Sequence, residues 1–267
     1  MSKSEENIFA EERKRRIVER VNRQAKTTVS DLCEEFGVSP ATVRNDLREL
    51  EFAGLLKRTH GGAISNKKTN FDLPYTERLV EHRTEKQAIG KLAATMVEPG
   101  DILFIDIGTT TRELAMMIAE VPDLTIVTND LEVAYYLNSH SNATILLTGG
   151  FLRKRFNSLF GQTAIDALQN INANKAFLST EGVTPEKGAT NTDINLTLLK
   201  REFVRRADEV ILLCDSSKIG KSAFTKFADI TDIDVIVTDE HIDEKTLKRY
   251  RACNVNIEVA RAAAGEV

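Results

Sequence analysis

Five short polar or glycine-rich segments could hold a small ligand, because each follows, directly or within two residues, an apolar run of the kind that forms a buried strand. The segments are 106–111, 128–130, 148–150, 181–182 and 215–218. In open sheets built from alternating strands and helices, ligands bind beyond the carboxyl ends of the strands. We therefore predict that these segments, although far apart in the sequence, meet at one edge of a sheet and form a small-molecule site.

The first segment has the composition of an anion-binding turn. Gly108 lets the backbone approach a ligand closely, and Thr109, Thr110 and Thr111 follow it at the expected start of a helix. Backbone N–H groups, hydroxyl donors and the positive end of the helix dipole together favour an anion there. Lys218, at the end of another predicted strand, adds a positive charge. We predict a small phosphorylated metabolite as the ligand; the alternative is that the hydroxyls only cap the helix.

Residues that could catalyse a reaction are harder to find. The four histidines lie in separate segments, and the three cysteines show neither CxxC nor metal-ligand spacing. Cys214 ends a predicted buried strand, which favours a place in the core. Asp106, Glu181 and Asp215 could form a carboxylate cluster, but acids at strand ends also accept hydrogen bonds from sugar hydroxyls. We therefore predict a binding site without a catalytic residue, metal or cofactor.

The segments that would position this site alternate regularly. A long helical pattern from Thr76 to Val97, mildly interrupted at Gly90, ends at Pro99-Gly100. After it, apolar runs alternate with helical stretches, which indicates β–α units and a largely parallel sheet between helices. The runs are 102–105, 124–127, 143–147, 175–178, 210–214 and 235–237.

The first 65 residues predict a different unit. Helical periodicity covers 11–24, and Thr28 opens a second helix with a capping box that ends near Gly37. Ser39-Pro40 begins a third helix, which runs to about residue 53. The stretch 55–64 reads as two short strands around a glycine turn. This order is typical of a winged helix-turn-helix.

The third helix would present a polar face to a DNA groove once its apolar residues Val43, Leu47 and Leu50 are buried. Polar and basic side chains such as those on this face contact phosphates and base edges. The alternatives are a merely solvated face, or a module that binds another protein. The candidate DNA-binding residues on this helix and on the basic hairpin are Ser39, Thr42, Arg44, Asn45, Arg48, Lys57, Arg58 and His60.

Length and charge fit two units of unequal size. The chain has 267 residues and a net charge of −4, yet basic residues outnumber acidic ones in residues 1–70 and the remainder is acidic. We expect only the first unit to bind a polyanion. The predicted domains are a winged helix-turn-helix at 1–65, a linker at 66–75 and an effector-binding domain at 76–267. Without an apolar run of membrane-spanning length or a secretory signal, a cytoplasmic location is expected.

The sequence resembles the DeoR family of bacterial transcription regulators. The resemblance rests on 29–39, 42–51 and 58–63 in the first unit, and on the strand-end segments with Thr238-Asp239 in the second. It implies a repressor of a sugar-utilisation operon that responds to a phosphorylated sugar. It also implies a dimer or tetramer on repeated half-sites of double-stranded DNA. The implied fold of the second unit is similar to ribose-5-phosphate isomerase and CoA transferases.

Carried onto this chain, the resemblance implies that Gly108 to Thr111 and Lys218 hold the phosphate. Asp106, Asn129 and Glu181 would meet sugar hydroxyls or order the loops. The full set of candidate effector-binding residues is Asp106, Gly108, Thr109, Thr110, Thr111, Asn129, Gly149, Gly150, Glu181, Gly182, Asp215 and Lys218.

The same comparison bears on an enzymatic alternative, a sugar-phosphate isomerase with an accessory DNA-binding module. Such isomerases carry an Asp-Gly-Ala-Asp run and a later Lys-Gly-Gly-Gly run. The corresponding stretch here is Glu181-Gly182-Val183-Thr184, so a threonine replaces the second acid, and 188–191 keeps neither the lysine nor the glycine cluster. Proton abstraction next to a carbonyl needs a general base. We therefore expect ligand binding without turnover.

Overall fold

The computed structural model describes residues 10–24, 26–52, 55–59, 61–65, 75–154, 156–253 and 255–262. Contacts between residues divide the chain into two compact units, Met1–Asp72 and Leu73–Val267. None of the described helices has the length and apolar character needed to cross a bilayer. The linker predicted at 66–75 lies outside the described residues, except for Tyr75, which is buried and begins a helix.

The first unit is the winged helix-turn-helix that the sequence predicts. Its antiparallel sheet has the strand order β1-β3-β2, and Ile17, Val21, Leu32, Val43 and Leu47 form its buried core. The elements are α1 (Ala10–Gln24), β1 (Lys26–Thr28), α2 (Val29–Phe36), α3 (Pro40–Phe52), β2 (Leu56–Thr59) and β3 (Gly62–Ser65).

Local sequence explains where these elements begin and end. The Thr28 Oγ1 atom accepts the Asp31 N–H at 3.1 Å, and Asp31 Oδ2 accepts the Thr28 N–H at 3.1 Å, so the predicted capping box is present. Gly37 ends α2 with φ 64°, a conformation that favours glycine. Strand β1 was not expected. It approaches β3 so closely that a Cβ on Gly62 would lie 1.9 Å from Thr27 O.

The second unit is built on a seven-stranded sheet with the order β15-β14-β12-β9-β4-β5-β6, in which every pairing is parallel. The predicted fold class, a parallel α/β sheet domain, is therefore confirmed. The strands of this sheet are β4 (Ile102–Ile105), β5 (Thr125–Thr128), β6 (Thr144–Leu147), β9 (Ala173–Ser179), β12 (Ala207–Leu213), β14 (Val235–Asp239) and β15 (Asn256–Ala260).

Helices and small antiparallel sheets surround this sheet. Strands β7 (Phe151–Arg153) and β8 (Ser158–Phe160) form a hairpin, and β10 (Gly182–Thr184), β11 (Gly188–Asn191) and β13 (Thr225–Ala228) form a second small sheet. The helices are α4 (Tyr75–Val80), α5 (Arg83–Ala94), α6 (Thr109–Met117), α7 (Leu131–His140), α8 (Gln162–Asp166), α9 (Ile194–Arg206) and α10 (Glu244–Arg251).

The apolar core lies on both faces of the large sheet. Along β4, Leu103 and Ile105 belong to one buried cluster and Phe104 to the other, as alternation along a strand requires. Phe104 stacks on Phe203 of α9, with ring centroids 4.9 Å apart. Strands buried on both faces read as continuous apolar runs, which is why the sequence reveals them.

The long helix expected from Thr76 to Val97 is two helices, so that expectation was wrong. The chain breaks at His82, which has φ 53° and separates α4 from α5. Gly90 does not interrupt α5. A Cβ at Gly90 would lie 2.8 Å from the Glu113 backbone carbon and from the Leu114 nitrogen, so glycine is required where α5 packs against α6.

Candidate functional site

The carboxyl ends of the central strands bring three of the predicted loops together. Strand β4 lies between β5 and β9, so the residues after Ile105, Thr128 and Ser179 meet at one edge. The Ile107 N–H donates to Asn129 Oδ1 at 3.1 Å, and the Ser179 hydroxyl donates to Ile107 O at 2.7 Å. The loop that begins at Asp106 is therefore fixed from both sides.

Helix α6 begins in the middle of this edge and presents unused donors. The Arg112 N–H donates to Gly108 O at 3.0 Å and closes the first turn. The N–H groups of Thr109, Thr110 and Thr111 have no acceptor within the described part of the chain, as is usual at a helix start. The hydroxyls of Thr109 and Thr110 also have no hydrogen-bond partner there, although both residues are buried. This first turn can bind an anion.

Thr111 and Gly108 shape the turn in different ways. The Thr111 hydroxyl donates to Asp106 O at 2.7 Å and to Gly108 O at 3.0 Å, so it holds the loop and leaves only its N–H for a ligand. Gly108 is extended, with φ 171°. A Cβ on Gly108 would lie 2.8 Å from the Ser179 Cβ, so the close approach of two loops requires glycine.

Asp106 lies in a buried polar cluster that includes a lysine missed by the sequence analysis. Lys200 of α9, 1% exposed, donates to Asp106 Oδ2 and, at 2.6 Å, to Ser179 O. The Ser179 hydroxyl also donates to Asp106 Oδ2 at 3.0 Å. Asp106 Oδ1 is buried, with no hydrogen-bond partner among the described atoms. The available signal was a lysine within the apolar stripe formed by Leu196, Leu199 and Phe203.

The Asn129 side chain is hydrogen-bonded to the neighbouring loops and is not exposed at the surface of the site. Its side chain is buried, its Oδ1 accepts the Ile107 N–H, and its Nδ2 donates to Leu159 O at 3.3 Å. The next residue, Asp130, accepts the Glu132 N–H at 2.8 Å and the Gly108 N–H at 3.4 Å. Burial raises the pKa of Asp130 to about 7, and the neighbouring Asp106 acts in the same direction.

Glu181 and Gly182 border the same edge after β9. Glu181 Oε2 accepts both the N–H and the hydroxyl of Thr192, each at 2.6 Å. Burial raises the pKa of Glu181, although Thr192 and the charges of Lys200 and Arg78 oppose this effect. A Cβ on Gly182 would lie 2.6 Å from Lys221 O. Gly182 is therefore explained by the close approach of the loop at Lys221.

The remaining predicted residues form turns at other strand ends. Asp215 is 2% exposed and caps a 3₁₀ turn, Ser216–Lys218, by accepting the Ser217 N–H at 3.1 Å. Lys218 ends that turn and is half-buried. Gly149 and Gly150 have φ 72° and 100° and lead from β6 into the β7–β8 hairpin. Cys214 is buried, as expected.

Helices α4 and α5 supply further polar residues that the sequence analysis did not place at the site. Lys86 is 6% exposed, and its Nζ donates to the carbonyl oxygens of Arg78 and Glu81. Burial lowers the pKa of Lys86 to about 8; Asp215 opposes this shift, whereas Arg78 and Lys218 increase it. These charges place Lys86 near the 3₁₀ turn. No stripe of residues in the sequence reveals this arrangement.

In the first unit, α3 presents the expected polar face. Arg44, Asn45 and Arg48 are exposed, and Asn45 Nδ2 donates to Glu49 Oε1 at 2.9 Å. Ser39 Oγ accepts the Thr42 N–H at 3.2 Å, and the two hydroxyls lie 2.9 Å apart. Those two residues therefore define the start of the helix.

The wing, which is the hairpin of β2 and β3, carries Lys57 and Arg58, both exposed; His60 lies outside the described residues. Arg58 is already engaged: its Nε donates to Glu51 Oε2 at 2.7 Å and its backbone N–H donates to Glu51 Oε1 at 2.8 Å. This pair fixes the wing to the end of α3.

A buried ion pair fixes α3 from its other side. Arg13 of α1 donates to both carboxylate oxygens of Asp46, at 2.7 and 3.2 Å. Asp46 follows the exposed Arg44 and Asn45 by one or two residues, so the pair sets the orientation of the polar face. This pair was not predicted from the sequence.

Comparison with known proteins identifies both units. The model of the DeoR-like helix-turn-helix domain matches residues 13–69, and that of the DeoR C terminal sensor domain matches residues 81–240. The chain is 35% identical to the HTH-type transcriptional regulator GlpR of Haloferax volcanii, covering 92% of this chain and 96% of the relative. It is 33% identical to the putative aga operon transcriptional repressor of Escherichia coli O157:H7, covering 92% of each.

A third relative is the transcriptional repressor AccR of Agrobacterium fabrum, 34% identical, with 91% of this chain and 98% of the relative covered. Among solved structures, ribose 5 phosphate isomerase A from Neisseria gonorrhoeae aligns with 51% of this chain and 53% of its own, with a TM-score of 0.38 and 11% identity. That likeness is partial. The two domain matches and the full-length relatives establish that this chain belongs to the DeoR family of helix-turn-helix transcriptional regulators.

Proposed function

We propose that the chain represses a carbohydrate-utilisation operon and that a phosphorylated sugar, bound at the carboxyl edge of the large sheet, controls it. The observation that carries this proposal is the first turn of α6. There, three backbone N–H groups and the hydroxyls of Thr109 and Thr110 lack partners within the described residues and point to an anion. Two of the relatives are named as repressors, which supports the regulatory direction.

The surrounding residues divide into donors for the anion and acceptors for the sugar. Lys218 supplies positive charge on the donor side. On the acceptor side, Asp106 Oδ1 and Asn191 Oδ1 are buried without a hydrogen-bond partner in the described chain. A buried acceptor of this kind is costly unless a donor reaches it. A sugar hydroxyl is such a donor, so we assign hydroxyl recognition to Asp106, with Lys200 holding its other oxygen.

The site is proposed to bind its ligand without converting it. Thr184 stands at the position that corresponds to the second acid in the Asp-Gly-Ala-Asp run of ribose-5-phosphate isomerases, and Glu181 uses one carboxylate oxygen to hold Thr192. Incubation of the purified protein with pentose and hexose phosphates, followed by product analysis, tests this point. Conversion at a rate above that of a Glu181→Gln variant would contradict it.

DNA binding is assigned to the exposed face of α3. Arg44, Asn45 and Arg48 would enter the major groove, and Lys57 of the wing would contact the flanking phosphates. Arg58 acts mainly through Glu51, by fixing the wing. We propose a homo-oligomer, because paired recognition helices match repeated half-sites.

A thermal-shift screen tests the ligand class. Phosphorylated pentoses and hexoses are compared with the same sugars without phosphate, since a ligand that binds only the folded state raises the melting temperature. We expect shifts only with the phosphorylated compounds, and their loss in a Thr109→Val, Thr110→Val double variant. Equal shifts with the neutral sugars would contradict the assignment of the α6 turn to phosphate.

A further inference from the structure

Helix α4 directs one face toward the effector site. Tyr75 is 6% exposed and Arg78 is half-buried, whereas Thr76, Glu77 and Val80 are exposed. Residues three apart share a helix face, so Tyr75 and Arg78 point inward together. Helix α4 packs against α6, whose first turn is the proposed phosphate site. The inward face of α4 therefore borders that site.

Electrostatic interactions place this face of α4 between the start of α6 and Glu181, which lie on opposite sides of the proposed site. The Tyr75 hydroxyl is buried without a partner among the residues described, and Asp130 adds to burial in raising its pKa. Asp130 in turn accepts the N–H of Gly108, directly before α6. Arg78 acts both on Tyr75 and on Glu181, at the other side of the site. Arg78 is thus within electrostatic reach of both sides.

The guanidinium of Arg78 makes no hydrogen bond or ion pair with any side chain or carbonyl in the described ranges. Other half-buried arginines of this unit do: Arg153 pairs with Asp193, and Arg206 with Glu202. A half-buried guanidinium has five donors in a planar fork, which matches the oxygens of a phosphoryl group. Its lack of a protein partner points to an external anion.

Lys86 fixes the backbone from which Arg78 projects. Its buried Nζ donates to the carbonyl oxygens of Arg78 and Glu81, at the end of α4 and in the turn before α5. These bonds cap the carbonyl end of α4, where a cation is favourable. Arg78 is therefore held in place before any ligand arrives.

We propose that Arg78 is a further anion contact of the effector site, and that it draws α4 onto the phosphoryl group bound at the start of α6. This inference rests on the proposed phosphate site. Helix α4 is the first described helix after residues 66–74, which join the two units in sequence. A ligand contact on α4 therefore acts on the element nearest the DNA-binding unit along the chain.

The test compares wild type with Arg78→Gln, Arg78→Lys and the matched control Arg83→Gln. Arg83 is an exposed arginine on the first turn of α5, so its replacement makes the same change in charge. Binding of inorganic phosphate is measured by calorimetry, and amide hydrogen exchange of residues 75–80 is measured with and without phosphate. Loss of a charged hydrogen-bonding group should weaken binding by about tenfold or more in Arg78→Gln.

We expect Arg78→Lys to be intermediate and Arg83→Gln to bind like wild type. Phosphate should slow exchange in residues 75–80 of wild type and not of Arg78→Gln. Equal phosphate affinity in wild type, Arg78→Gln and Arg78→Lys would overturn the role of Arg78 and leave the α6 site standing. Absence of binding by wild type to both phosphate and sugar phosphates would instead remove the proposed function, and this inference with it.

Discussion

The two carboxylate oxygens of Asp106 differ in their surroundings, and this difference defines the site at the scale of single residues. Asp106 Oδ2 accepts hydrogen bonds from Lys200 and Ser179, whereas Asp106 Oδ1 is buried and has no hydrogen-bond partner among the described atoms. As the sequence predicts, Asp106 and Asn129 lie at strand ends and Thr111 lies in the first turn of α6. The sequence cannot predict that the side chains of Asn129 and Thr111 hydrogen-bond to the loops, because those bonds depend on distances between segments far apart in the chain.

The Asp106–Lys200 pair should contribute strongly to stability. Removing one member leaves a buried charge unpaired, so Lys200→Met or Asp106→Asn should lower the free energy of unfolding by about 3 kcal/mol. The double variant should lose less than the sum of the two. Urea unfolding measures this, with Lys226→Met as the control, because Lys226 pairs with Asp229 on the surface. A loss below about 1 kcal/mol in both single variants would contradict the buried pairing.

Asp130 should make anion binding depend on pH. Its pKa is raised to about 7 and its carboxylate accepts the Gly108 N–H, so ionisation places negative charge at the proposed phosphate site. Affinity for sulfate, whose charge is constant in this range, should therefore fall as pH rises through about 7. The charged or titratable groups facing Asp130 are Asp106 and Tyr75, and the raised pKa of Tyr75 keeps it neutral here.

The Asp130→Asn variant isolates this effect. Asparagine still caps α7 but carries no charge, so the fall in sulfate affinity between pH 6 and 7.5 should disappear. Lys86, with a pKa of about 8, titrates mainly above this range, and it is present in both proteins, so its effect on sulfate affinity is common to both. The same pH dependence in wild type and variant would show that another group is responsible.

At the scale of elements, the sheet follows from the sequence more fully than its surroundings do. The six apolar runs correspond to six strands. Five of these lie inside the sheet and are largely buried, as expected for continuous apolar runs, whereas β6 is a more exposed edge strand. Strand β15 was missed because Asn256 and Glu258 interrupt its apolar pattern. The break between α4 and α5 was missed because His82, not a glycine or proline, adopts the left-handed conformation.

Gly90 provides a test of how closely two helices pack. Replacing a glycine inside a helix by alanine ordinarily adds up to about 1 kcal/mol of stability. Here the new Cβ would lie 2.8 Å from backbone atoms of α6. Gly90→Ala should therefore destabilise the protein by about 1–3 kcal/mol, measured by chemical unfolding. Gly61→Ala, where no atom lies within 4 Å, is the control. Stabilisation by Gly90→Ala would show that α5 and α6 are further apart.

At the scale of the whole molecule, one chain joins a helix-turn-helix unit of the DNA-binding type to a sensor unit of the type that binds a small molecule. Each has its own buried core, and the residues assigned to DNA and to the effector lie in different units. Regulation requires that the effector bind the DNA-competent and DNA-incompetent arrangements with different affinity. The two binding activities should therefore be separable by mutation even though they are coupled in the intact protein.

Arg44→Ala and Lys218→Ala should separate them. Arg44→Ala removes an exposed cation from α3, so affinity for an operator selected from random DNA should fall about tenfold, with effector affinity unchanged. Lys218→Ala should leave DNA affinity intact and abolish release of the DNA by the effector. Fluorescence anisotropy with labelled operator, with and without effector, measures both, and the exposed Lys245→Ala serves as a control for loss of charge. If the two variants lost the same activity, DNA and effector would not be read by separate units.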